Sequence, residues 1–126
     1  MEKKENSLAE QELNSLVESD LLYDFYGDLL TDHQKRIYEE VIFNDCSLSE
    51  VARDEGISRQ GVSDLIRRVG EQLSEYERKH GLVGKFLRQR RDIREILNLA
   101  ESFSRTKREA DIDKIRALAE KLLSET

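Results

Sequence analysis

Arg59, Gln60, Ser63, Arg67 and Arg68 stand within ten residues of one another. Their side chains are the types that bond base edges and phosphate oxygens of nucleic acid. On a helix, Arg59, Gln60 and Ser63 would lie nearest base edges, and Arg67 and Arg68 would take phosphates. Ser49, Arg53 and Ser58 precede them; the first two can position a phosphate backbone from a preceding helix. Asp64, Asp54 and Glu55 oppose this use, because they sit where phosphates would pass. A second basic set, Lys85, Arg88, Arg91 and Arg94, follows on another helical stretch.

Catalytic chemistry finds no comparable foothold. His33 and His80 have no cysteine or histidine at ligand spacing. No glycine loop is built to cradle phosphates and no nucleophile elbow occurs. Carboxylates are abundant, but at helical spacing from Lys and Arg. The sequence therefore reads as a binding protein, not an enzyme, with no cofactor and no metal.

The elements that must hold these residues are helices. The chain has 126 residues, no proline and 38% charged residues, and its abundant Ala, Leu, Glu, Lys, Arg and Gln favour helix. Residues 47–68 spell a helix-turn-helix. Ser47 with Glu50 forms a capping box, and Leu48, Val51 and Ala52 give a buried stripe. Gly56 supplies the left-handed stop, and Ile57 should plug the gap between the helices. Ser58 caps the second helix, whose inward face is Val62, Leu65, Ile66 and Val69. Leu73 and Tyr76 continue that stripe, so the helix should run to about residue 79 and stop at Gly81. Gly61 in its first turn serves either close approach to a ligand or packing on the preceding helix. A helix, tight turn and helix can equally be an ordinary packing unit.

Around this motif, Ser7 with Glu10 opens a first helix carrying Leu8, Leu13, Leu16 and Val17, then Leu21, Leu22, Phe25, Tyr26 and Leu29. It breaks near Ser19 and Asp20 or runs on to Leu30. Thr31 with Gln34 opens a helix to about residue 43, with Ile37, Tyr38, Val41 and Ile42 inward. A long helix over residues 82–103 has Val83, Phe86, Ile93, Ile96, Leu97 and Ala100 inside. Thr106 with Glu109 then caps a final helix carrying Ile112, Ile115, Leu118, Ala119 and Leu122. The expected organisation is a polar or helical segment over 1–20, a helix-turn-helix domain over 21–79 and a helical hairpin over 80–126. That hairpin should fold back on the motif or pair with a second copy, giving a homodimer.

Net charge is −6, which opposes indiscriminate nucleic-acid binding. Its distribution is uneven: residues 1–57 carry a net −10, residues 58–108 a net +6. The basic stretch begins where a phosphate-facing helix would begin. The single cysteine, Cys46, can form no internal disulfide and reads as a small packed residue. With no apolar span or signal core, the expected compartment is the cytoplasm, without membrane insertion.

Residues 29–73 resemble the fourth-region helix-turn-helix of bacterial sigma factors. The run Leu22-Tyr23-Asp24-Phe25-Tyr26-Gly27-Asp28-Leu29-Leu30-Thr31, with Ser58-Arg59-Gln60-Gly61-Val62, more closely resembles the YlxM family of small bacterial proteins. The likeness covers about residues 20–100. It implies an all-α fold with a sigma region-four-like core and a C-terminal helical extension. It implies a DNA-binding regulatory protein tied to the signal recognition particle pathway, because such genes lie beside those of the particle's GTPase and its receptor. The alternative it leaves is a non-enzymatic adaptor touching the particle's RNA or GTPase. The chain lacks the sigma regions that bind core polymerase and melt promoters, so a stand-alone sigma role is not expected. Compared with the family's short form, the chain carries an added N-terminal segment.

Overall fold

The computed structural model describes residues 18–126. Ser7, Leu8, Glu10, Leu13, Leu16 and Val17, and the cap expected there, lie outside those residues. All the regular structure described is helical. It falls into two compact units, one ending at Val83 and one spanning Gly84 to Thr126.

The first unit is built around a long central helix. Helix α1 covers residues 18–26 and closes in a 3₁₀ turn, Gly27–Leu29. A side chain at Gly27 would meet the Tyr23 ring at 3.2 Å, so the ring packs closely on this turn and would have to shift slightly to admit one. Ser19 and Asp20 are helical, and the helix stops short of Leu30. Phe25 and Leu29 stay exposed, whereas Tyr26 is 2% exposed and Leu30 is buried.

Thr31 opens α2, Asp32–Tyr38, with both arms of the capping box in place: Thr31 Oγ1 accepts from the Gln34 amide and Gln34 Oε1 accepts from the Thr31 amide. The single helix expected to residue 43 is instead interrupted. Glu39–Phe43 forms a π-helical turn, which inserts one residue into the turn. Ile42 rotates outward and is exposed, while Val41 packs against the core. Phe43 reaches the Tyr23 and Tyr38 rings at 5.0 and 6.0 Å. Asp45 then takes a left-handed φ of 54° in the expected Asn44-Asp45 turn.

Helix α3, Leu48–Glu55, starts where the Ser47 hydroxyl accepts from the Glu50 amide and stops at Gly56, with φ 69°. Helix α4, Arg59–His80, begins at Ser58 and ends at Gly81, with φ 64°. Ile37, Val51, Ala52 and Val62 form the core where α2, α3 and α4 meet, with Val41, Cys46, Leu48, Leu65 and Ile66 packed around them. Ile57 is only a partial plug: it is 38% exposed. Burial, then the carboxylates around it, pushes the Cys46 thiol up, so it packs as an inert thiol.

Helices α5, Leu82–Thr106, and α6, Glu109–Glu125, follow. The Thr106–Glu109 capping box does not form. Helix α5 runs through Thr106 and Lys107 takes a left-handed φ of 58°. Arg108 therefore occupies the cap position without a side-chain bond, and the Thr106 hydroxyl turns back to the Ser102 carbonyl at 3.0 Å. Buried Asp111 instead accepts from the Ser102 hydroxyl at 2.9 Å. The α5 stripe is also corrected. Leu99 is buried, but Ile93, Leu97 and Ala100 are exposed, because the expected stripe mixed two rows of one helix. Ile112 and Ala119 on α6 are exposed for the same reason.

Candidate nucleic-acid interface

The turn between α3 and α4 determines which way α4 faces. The Gly56 stop returns the chain, with the Ile57 amide donating to the Ala52 carbonyl at 3.0 Å. Ser58 Oγ then accepts from the Gly61 amide at 2.9 Å. A Cβ at Gly61 would sit 3.1 Å from that same Ser58 oxygen. That contact is tight but does not demand glycine, because Gln34 and Glu50 hold the same position under the Thr31 and Ser47 caps. With Val62, Val69 and Leu73 inward and buried, the helical period places Gln60, Asp64, Arg67 and Glu71 along the middle of the outward face. Arg59 and Ser63 lie on one flank and Arg68 on the other.

That middle line bonds to itself. Gln60 Nε2 donates to Asp64 Oδ1 at 3.0 Å. Arg67 lies 3.9 Å from the same oxygen and donates to Glu71 Oε1 at 3.1 Å. The flanks are different: Arg59, Ser63 and Arg68 have no side-chain partner among the described residues, and Arg59, Ser63 and Arg68 are exposed. On α3, Ser49 and Arg53 are likewise exposed and unpartnered. Ser58 is exposed too, and its oxygen already accepts the Gly61 amide as a cap, while its proton stays available to a ligand.

Two residues were not singled out from the sequence. Gln34, placed by its capping role, donates through Nε2 to Gln72 at 3.1 Å. It lines a recess of about 300 Å³ with Gly61, Asp64, Leu65 and Arg68. Glu71 engages Arg67; its place four residues on was the available signal. Asp54 is exposed, whereas Glu55 is drawn into an ion pair with Arg36, both bonds at 2.8 Å, and points away from a ligand role.

In the second unit Lys85, Arg88, Arg91 and Arg94 are exposed with no side-chain partner among the described residues. Their i,i+3 spacing falls short of a full turn, so each is set back by about 60° from the one before. They wind around α5 rather than forming one flat face. Among the described residues no group of three His, Cys, Asp or Glu side chains could hold a metal. No helix among them is long and apolar enough to cross a membrane.

A capped helix, a left-handed glycine stop and a second capped helix packed on one core make this an all-α helix-turn-helix protein. Comparison with known sequences gives the family. Residues 13–117 match the family described as "Putative helix-turn-helix protein, YlxM / p13 like". A UPF0122 protein of Desulforamulus reducens is 34% identical over 82% of this chain and 88% of its own. One from Acetivibrio thermocellus is 40% identical over 90% of this chain and 97% of its own. One from Caldanaerobacter subterraneus is 54% identical over 52% of this chain and 56% of its own. The chain belongs to this YlxM/p13-like family.

Proposed function

We propose that this protein is a cytoplasmic, non-enzymatic DNA-binding regulator that reads a duplex with the first turns of α4. In this reading Arg59, Gln60 and Ser63 approach base edges and Arg67 and Arg68 hold phosphates. Ser49, Arg53 and Ser58 position the backbone, as in helix-turn-helix docking. The observation that carries it is the exposure of Gln60 on the outward face, and of Arg59 and Ser63 on its flank, on a helix whose inward side, at Val62, is fully buried. Such a helix presents polar side chains without disturbing its own core. The width of the B-form major groove suits a helix, while the A-form groove of RNA does not admit one. One short helix gives weak specificity, so a dimer on two half-sites is part of the reading.

The test is selection from a random duplex library at low salt, followed by titration of the enriched sites. The wild type should enrich a sequence, and its affinity should fall steeply with salt. Failure of any duplex to bind at low salt overturns the proposal.

A second reading rests on the unpartnered cations of α5. Lys85, Arg88, Arg91 and Arg94 wind around the helix and suit phosphates approached from several sides. That fits an adaptor on a structured RNA such as that of the signal recognition particle, or on its GTPase. Charge reversal at Arg88, Arg91 and Arg94 would then abolish recovery of that RNA or GTPase, while a change at Gln60 would not.

A further inference from the structure

The α5–α6 hairpin of the second unit has a seam and, beside it, a second apolar side. At the seam Lys121 Nζ reaches Asp92 Oδ2 at 3.0 Å and Ser102 Oγ donates to Asp111 at 2.9 Å. These pairs fix the helices as antiparallel, and the faces they join carry buried Leu99 and half-buried Ile96, Phe103, Ile115, Leu118 and Leu122. About 120° round α5 from Leu99 lies another row. There Ile93 is 57% exposed, Leu97 58% exposed, and Ala100 exposed. Helix α6 repeats the pattern: Ile112, Ala119 and Leu123 are exposed. Both rows are displaced in the same rotational sense from the shared seam. In antiparallel helices that places them on one side of the hairpin. A helix apolar on two faces is one built to be covered on two faces.

We infer that a second copy of this chain covers that side, α5 lying antiparallel on α5 about a twofold axis. The charges flanking the row select this partner. Arg94 and Glu101 are seven residues apart and have no ion pair among the described residues. With Leu97 opposite the partner's Ala100 and Ile93 opposite the partner's Ser104, Arg94 meets the partner's Glu101, and symmetry makes the pair twice. Sliding the helices by one heptad sets Leu97 opposite the partner's Ile93, but brings Arg94 onto the partner's Arg94. The charges thus discriminate between two registers that the apolar row alone would allow. Large residues opposite small ones let the helices approach closely. The Ser104 hydroxyl already donates to its own Ala100 carbonyl at 3.2 Å, so it can be buried there without an unmet bond.

The surface does not depend on the DNA reading, and its test needs no nucleic acid. Sedimentation equilibrium on the full chain should show a dimer. Leu97→Asp should raise the dimer dissociation constant by a hundredfold or so, the expected effect of burying an unpaired carboxylate. Arg94→Glu and Glu101→Arg should each weaken the dimer severalfold, and the two together should restore it, as a double-mutant cycle requires. Circular dichroism checks that each variant keeps its helix. Should Leu97→Asp unfold, the surface charge swap carries the test. A monomeric wild type, a dimer indifferent to Leu97→Asp, or a double swap that fails to restore the dimer would each overturn the inference.

Discussion

The Tyr26 hydroxyl donates to Glu77 Oε1 at 2.6 Å, across 51 residues of sequence. The same hydroxyl accepts the Leu82 amide at 3.1 Å, and the same carboxylate oxygen accepts the Val83 amide at 2.9 Å. One buried phenol and one carboxylate thus tie the end of α1 to the last turn of α4 and the first turn of α5. Tyr26→Phe keeps the ring and removes the bonds. It should cost about 1–3 kcal/mol, the usual penalty for stranding buried polar partners. Urea denaturation should show a lower midpoint with an unchanged slope.

Burial and then Glu77 raise the Tyr26 pKa above its ordinary 10.0, and burial raises that of Tyr38 as well. A raised pKa means that the folded state resists ionising the phenol. The stability this represents is complete below pH 10 and is lost as pH climbs through the folded-state values. Stability of the wild type should fall in strong alkali, and Tyr26→Phe should fall less steeply. Equal slopes for the two proteins would contradict the assignment.

Arg36 clamps Glu55 and joins α2 to α3, which holds the Glu55 carboxyl below its ordinary 4.5. The sign is opposite to that of the tyrosines. Stability from this pair is present above the ordinary value and disappears as pH falls through the lowered one. Glu55→Gln should unfold more readily than wild type at neutral pH, and the two midpoints should converge in acid.

Two glycines should respond to alanine with opposite signs. Gly56 has φ 69° and open space around it, so Gly56→Ala pays only for the left-handed backbone, about 1–2 kcal/mol. Gly70 lies inside α4 with nothing within 4 Å of a new Cβ. Gly70→Ala should therefore stabilise by about 0.5–1 kcal/mol through helix propensity. Thermal melts of the two variants measure both.

On an enriched duplex, Arg59→Ala should lower affinity by about tenfold, near the value of one good base contact. Arg67→Ala should act more evenly across sequences and flatten the salt dependence. Asp64 holds Gln60 and lies against Arg67. Asp64→Asn removes a charge that repels phosphate, so it should raise affinity for all duplexes and narrow the gap between preferred and random sites. Fluorescence anisotropy at two salt concentrations separates these outcomes.

What the sequence determined by itself was local. Ser58, Gly56 and Gly81 each fix a helix end through bonds or backbone angles that span a few residues, so type and spacing suffice to place α3 and α4. The inward stripe Val62, Val69 and Leu73 follows from the helical period alone. The tertiary structure decided the rest. The π-turn at Glu39–Phe43 turns Ile42 out, and its one-residue insertion leaves no mark in an apolar pattern. Two apolar rows on α5 look like one until a neighbouring helix selects Leu99 over Leu97. Gln60 reads as a free donor until Asp64, one turn away, is seen to hold it. Caps and periods are short-range; the choice among equally apolar faces is made by which one another helix covers.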